Sequence, residues 1–378
     1  RLALEASDVI TLNASDRSYR LRLVETRDAT FKTIDARSIE PRVFDAIVAP
    51  EREEEPDIVS VYGPTTVMFL DLPLLRGDEA PQTGYVAASA NPWPGTVAFY
   101  RSPSTSGYEL NTLASAEAVN GISLFDFYSG PLHRFDHSND LYVKLAFGEL
   151  SSVTEEALLN GANYIALQNA DGAWELLQFQ TAELIDTSTY KLSDLLRGQG
   201  GTESAMRDPV AAAARFVLIN SAVTAVNLRP DEVGLALNYK FGPVSETLDD
   251  LSYGSASHAF QGLGLRPLRP VHLQGKRDPS SGDWTFLWIR RTRMGGDSWE
   301  SVEAPLAEEV EAYRLEILDG GDVVRSVDLG APTFLYTAAM QIADFGATQW
   351  NVTIRVAQVS QVYGAGIAAT ELTYDYQH

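Results

Sequence analysis

The chain has 378 residues, 51 acidic and 29 basic side chains, a formal charge of −22 and no cysteine. Its length suits about two to three domains of roughly 100–200 residues each, and 45% apolar residues give each a core to bury. The lack of cysteine excludes disulfide scaffolds, thiolate zinc sites and cysteine nucleophiles, and so acidic a surface repels a phosphate backbone.

Five basic residues are lysine (Lys32, Lys144, Lys191, Lys240 and Lys276) and the other 24 are arginine. Arginine's fixed fork suits ordered interfaces, although GC-rich coding gives the same bias. No run of 18 apolar residues reads as a membrane span. The chain opens on Arg1-Leu2-Ala3-Leu4-Glu5 without a signal pattern. It is expected to be a piece of a longer polypeptide or a processed product.

Tyr19-Arg20-Leu21-Arg22-Leu23-Val24 alternates with period two, placing Tyr19, Leu21 and Leu23 on one strand face. Residues 1–55 would bury little alone and read as return strands of a domain begun upstream. They end in Pro50-Glu51-Arg52-Glu53-Glu54-Glu55-Pro56, where prolines bracket four mutually repelling carboxylates, the signature of a solvated linker.

Residues 56–265 hold 24 acidic and 10 basic groups, net −14. Short β-rich runs recur there at Thr66–Leu70, Tyr85–Ala88, Val97–Tyr100, Leu141–Phe147, Tyr164–Leu167, Trp174–Phe179 and Phe216–Ile219. Turn clusters such as Asn91-Pro92-Trp93-Pro94-Gly95 separate them. This spacing predicts sandwiches or barrels. Ser152-Val153-Thr154-Glu155 is a capping-box pattern that predicts a short helix ending near Gly161, and Leu192–Leu196 predicts a further short turn. Gly262–Pro270, with glycines followed by paired prolines, predicts an extended connector.

Residues 266–378 carry Val271-His272-Leu273, then Trp284, Phe286 and Trp288 on alternate positions. Tyr313–Ile317 ends at the hairpin signal Asp319-Gly320-Gly321, and Val323–Val327 continues from it. Trp350–Val356 alternates strictly, Gly364-Ala365-Gly366 follows, and Leu372–Tyr374 closes the series. This order resembles a fibronectin type III domain, on the placement of Trp288, Tyr313, Trp350 and the Gly-Ala-Gly loop. Trp350 stands where that family has a tyrosine, so an indole N–H would supply the corner hydrogen bond. The long loop holding Arg290, Arg291, Arg293 and Trp299 has the residue types to contact a neighbouring subunit or an anionic glycan, or else is a solvated loop.

A second resemblance covers most of residues 1–375. Leu70-Asp71-Leu72-Pro73-Leu74-Leu75, Trp93-Pro94-Gly95-Thr96-Val97-Ala98-Phe99-Tyr100-Arg101-Ser102, Trp174-Glu175-Leu176-Leu177-Gln178-Phe179 and Tyr190–Glu203 come in the order seen in one family. The succession resembles the C-terminal half of tail-tip (megatron, host-specificity or hub) proteins of gene transfer agents and related long-tailed phages. The resemblance implies an all-β, multidomain chain of sandwich or barrel modules with few short helices, ending in the fibronectin type III-like sandwich. It also implies a non-enzymatic homotrimer that sits beside distal-tail and hub proteins, closes the tail tube and helps contact the host envelope. DNA would pass it only in transit. The location implied is the virion tail tip, after assembly in the bacterial cytoplasm.

Other chemistry is weakly signalled. Leu195-Leu196-Arg197-Gly198-Gln199-Gly200-Gly201-Thr202 lacks the lysine of a phosphate loop. It reads instead as a turn whose Arg197 clamps carbonyls or a carboxylate such as Glu203. Trp93 reads as a packed turn, with sugar stacking as the alternative. His133 and His137 have a metal-compatible spacing, but Pro131 before them favours a loop. No EF-hand spacing or Gly-x-Ser-x-Gly elbow is present, and no cofactor or metal is expected. The competing readings are a carbohydrate- or receptor-binding module and a glycan hydrolase with paired carboxylates in a cleft.

Overall fold

The computed structural model describes residues 3–14, 16–39, 62–77, 79–296 and 304–374. The Pro50–Pro56 linker, Trp299 and His378 lie outside the described residues. The chain divides into two compact units, Arg1–Ser60 and Val61–His378.

The first unit is an antiparallel meander of β1 (Val9–Ala14), β2 (Arg17–Asp28) and β3 (Lys32–Ser38). Ile10 pairs with Leu21 and Leu12 with Tyr19, so the alternation read from β2 produces one apolar face. Leu23 on that face is buried.

The second unit begins with β4 (Thr66–Leu70), β5 (Gly84–Ser89), β6 (Val97–Ser102) and β7 (Glu109–Ala114). There follow β8 (Asn120–Ser123), β9 (Phe135–Asp136), β10 (Leu141–Phe147), helix α1 (Glu155–Leu159), β11 (Tyr164–Gln168), β12 (Trp174–Asp186), β13 (Thr189–Gln199) and β14 (Arg215–Leu218). Then come β15 (Thr224–Val226), β16 (Leu237–Pro243) and β17 (Gly254–His258).

Strands β10-β8-β14-β11-β12-β13 pair in that order, and β10 also pairs with β13, so the sheet closes into a six-stranded antiparallel barrel with β9 beside β13. Closure leaves these strands no free edge to protect. Leu141, Val143, Ile165, Leu167, Leu177, Phe179, Leu192, Leu195 and Phe216 fill it. Against the barrel lies the sheet β15-β5-β4, and beyond that the sheet β17-β16-β6-β7. This layering explains why all six residues of β5 are buried. Tyr85 and Ala87 pack with Trp174, Leu176 and Val217 of the barrel strands, whereas Val86 and Ala88 pack with Phe99, Tyr239 and Phe241. A strand covered on both faces loses the apolar–polar alternation of a half-exposed one.

The C-terminal module contains β18 (Val271–Arg277), β19 (Trp284–Ile289), β20 (Tyr313–Asp319), β21 (Asp322–Leu329), β22 (Thr333–Tyr336), α2 (Ala338–Phe345), β23 (Asn351–Ser360), β24 (Gly364–Ala365) and β25 (Ala369–Tyr374). Sheet β18-β19-β22 faces sheet β21-β20-β23-β25, a fibronectin type III-like sandwich. Trp284, Phe286 and Trp288 meet Tyr313, Leu315, Ile317, Val352, Ile354 and Val356 between the sheets. The molecule is all-β, with two short α-helices among the described residues.

Three local expectations change. Leu192–Leu196 is part of β13, not a helical turn. The inward set shifts from Tyr190 and Leu192 to Leu195 and Arg197 across Asp194, whose φ is 55°. That left-handed residue, a conformation Asp tolerates, creates the three-residue spacing that imitates a helix. Helix α2 has no counterpart among the expected elements, although Thr337 caps it by accepting from the Met340 amide and Gly346 ends it at φ 79°. At the corner, the Trp284 indole N–H donates to the Gln349 carbonyl at 3.1 Å. Trp350 stands half exposed with its ring under the Arg277 guanidinium at 4.1 Å.

Candidate functional site

Arg197 is the most constrained of the predicted site residues. Its side chain is fully buried and forks onto Glu175 on β12 at 2.7 and 2.9 Å. It also donates to the Tyr128 carbonyl at 2.9 Å, approaches Asp136 at 3.7 Å and stacks 4.0 Å from the Phe127 ring. Asp136 accepts from the Ser138 and Asn139 amides and from the Asn139 side chain. Gly130 makes room for the group, since a Cβ there would stand 2.1 Å from Asp136 Oδ2. The partner expected for Arg197, Glu203, is not the one it has. The β12–β13 pairing presents Glu175 to it instead.

Glu203 serves the loop from residue 290 onward. Arg291 donates to Glu203 Oε1, and Arg269 lies 3.8 Å from the same oxygen. Arg293 bonds Glu308 at 3.1 Å and the Gly264 and Ala307 carbonyls at 2.8 Å each. Arg290 donates to the Ala304 and Pro305 carbonyls. Arg291 and Arg293 thus bind the C-terminal sandwich to the preceding layers and to the Gly262–Pro270 connector. Trp93 is partly buried, in a turn packed against the core around Phe99 and Tyr239. His137 pairs with Asp194 at 2.8 Å, and no group of metal-ligating side chains occurs among the described residues.

A groove runs along this junction. One lobe, of about 820 Å³, is lined by Leu75, Arg76, Asn160, Tyr164, Ile219 and Asn220, among others. The other, of about 450 Å³, is lined among others by His133, Gln199, Gly201, Arg266, Arg291 and Arg293. Leu74, Leu75, Tyr164 and Gly200 border both, so the lobes are continuous. Each falls in the size range of small-molecule sites. Among the described residues, four arginines line the groove and no carboxylate does. Gly200 and Gly201 have φ of 62° and 80°, which keeps side chains off this wall.

Arg76, Arg266, Glu175 and Tyr164 were not singled out from the sequence. Glu175 had a signal, a lone charge inside the apolar run Trp174–Phe179. Arg266 had none beyond its place in a connector.

The chain is therefore an all-β protein of layered sheets, a barrel and a terminal sandwich. Residues 118–217 match the family described as Rcc01698-like, C-terminal, and this span coincides with the barrel, β8 to β14. No curated protein matches the chain. Among solved structures it is similar to rat CD45 extracellular region, domains d3–d4, at 12% identity and a TM-score of 0.21. That similarity covers 39% of this chain and 66% of the other, just under two thirds, and is too slight to bear on function.

Proposed function

We propose that this chain is a structural part of the tail tip of a gene transfer agent or related long-tailed phage, a baseplate hub or megatron component. The observation that carries the reading is the family match over residues 118–217, under a name consistent with gene-transfer-agent-related proteins. Of the motifs that carry the resemblance, Trp174–Phe179 and Tyr190–Glu203 lie within the matched span and Leu70–Leu75 and Trp93–Ser102 on the layers packed against it. In this role the chain is a homotrimer beside distal-tail and hub proteins. It closes the tail tube, contributes to attachment at the host envelope and lets DNA pass. The net charge of −14 over residues 56–265 suits a wall to which DNA must not adhere.

The role is structural rather than catalytic.

The test is to tag the chain at its C-terminus, purify tailed particles from the producing strain, and combine gold labelling with cryo-electron microscopy. The expected result is label at the tail tip with threefold density. Particles lacking the tag, or label on the head, would overturn the reading. A map placing residues 56–265 wholly outside the lumen would remove the DNA-wall role alone.

A further inference from the structure

We infer that the junction groove is a binding site for an acidic oligosaccharide, independently of the tail-tip reading. The first ground is charge. The chain carries 51 acidic against 29 basic residues, yet among the described residues the groove wall holds Arg76, Arg266, Arg291 and Arg293 and no Asp or Glu. Two of these cations are committed, Arg291 to Glu203 and Arg293 to Glu308. The other two are not: neither Arg76 nor Arg266 makes a side-chain hydrogen bond or ion pair among the described residues. Glu79, three residues after Arg76, is occupied by the Arg76 and Gly77 amides and the Tyr85 hydroxyl. A concave, cationic surface in an acidic protein concentrates anions locally while the rest of the molecule repels them.

The second ground is shape and lining. Arg76 belongs to one lobe and Arg266 to the other, with Leu74, Leu75 and Tyr164 along the shared border. A compact ion such as phosphate would engage one arginine and leave the rest of the groove in water. A short chain bearing repeated negative charges engages both. Between the arginines, Asn160, Asn220, Ser221 and Gln199 supply donors and acceptors of the kind that match hydroxyls, and the Tyr164 ring supplies a flat apolar face. Gly200 and Gly201 are bare backbone on this wall, where an added Cβ would press on Pro73 and Leu176 or on Leu268. Carboxylate- and phosphate-bearing sugars share the required chemistry, and guanidinium forks recognise both.

The experiment is isothermal titration of the full 378-residue chain with three probes: trigalacturonate, fructose 1,6-bisphosphate and neutral maltotriose. Trigalacturonate binding supports a carboxylated ligand and fructose 1,6-bisphosphate binding, with a phosphate at each end, a phosphorylated one. Either should weaken as salt rises. Arg266→Gln and Arg76→Gln should each weaken it about tenfold, the loss expected for one charge-assisted hydrogen bond. Neither side chain makes a hydrogen bond or ion pair among the described residues, so these variants should keep the fold, which thermal melts would verify. The inference is overturned if neither anionic probe binds at about 5 mM, if maltotriose binds equally well, or if both variants bind like the parent.

Discussion

Arg197 and Glu175 form a two-pronged ion pair across neighbouring barrel strands, and neither side chain reaches water. Taking two charges out of water costs several kcal/mol each, and only good geometry with further hydrogen bonds offsets that. The Tyr128 carbonyl, the Phe127 ring and the Gly198 amide supply those further contacts. Removing one partner strands the other, so Arg197→Met should destabilise the protein by about 3–5 kcal/mol. The double variant Arg197→Met with Glu175→Leu should recover part of that loss, because one unpaired charge has gone. Urea unfolding of both variants measures this. A double variant no better than the single would show that Asp136, not Glu175, is the charge that Arg197 neutralises.

The Arg291–Glu203 pair behaves differently because its partners differ in exposure. The Glu203 side chain is 2% exposed and its Oε2 has no hydrogen-bond partner, while the Arg291 side chain is 22% exposed. Arg291→Ala therefore leaves a buried carboxylate with Arg269 as its one remaining cation among the described residues, and should cost about 2–4 kcal/mol. Glu203→Gln leaves an arginine able to turn to water and should cost less, about 1 kcal/mol. Hydrogen exchange across Gly262–Pro270 should speed up in the first variant more than in the second. Equal effects would mean that the clamp does not work through the buried carboxylate.

Glycine variants separate backbone strain from steric conflict at the same junction. Gly201 has φ 80°, and a Cβ there would lie 2.2 Å from Leu268 Cδ2. Gly77 has φ 82° with nothing within 4 Å of the added atom. Gly77→Ala should cost about 1–2 kcal/mol, the left-handed penalty alone. Gly201→Ala should cost a further 1–3 kcal/mol or so for overpacking against the connector. Melting temperatures of the two variants decide it, and matched losses would show that Leu268 moves aside freely.

How much of this was legible in the sequence depended on range. The alternation of Trp284, Phe286 and Trp288 is local, and it placed a strand and its buried face correctly. Asp319-Gly320-Gly321 likewise marked the β20–β21 hairpin. The partner of Arg197 was not local. Choosing Glu175 over Glu203 needs the β12–β13 register, and one left-handed residue, Asp194, moves which side chains point inward. The groove was less legible still. Arg76 and Arg266 are 190 positions apart and share a groove only because the connector folds back beside the Leu74–Leu75 wall.

Asp344 on α2 accepts two hydrogen bonds from Arg325, at 2.7 and 2.8 Å, and one from Tyr336 at 2.7 Å. Burial pushes its carboxyl up, but the Arg325 and Tyr336 hydrogen bonds outweigh burial and hold it below the usual range. A depressed folded-state value means the stabilising contribution is complete above the unfolded value of about 3.9. It is lost as the pH falls through the folded value. At pH 7, Asp344→Asn should be less stable than the parent by about 1–3 kcal/mol. The gap should narrow below about pH 4. Urea titrations at neutral and acid pH measure both. An equal gap at both ends would show that α2 is held by Gln341, which bonds the Gly282 and Tyr336 carbonyls, and not by the Asp344 charge.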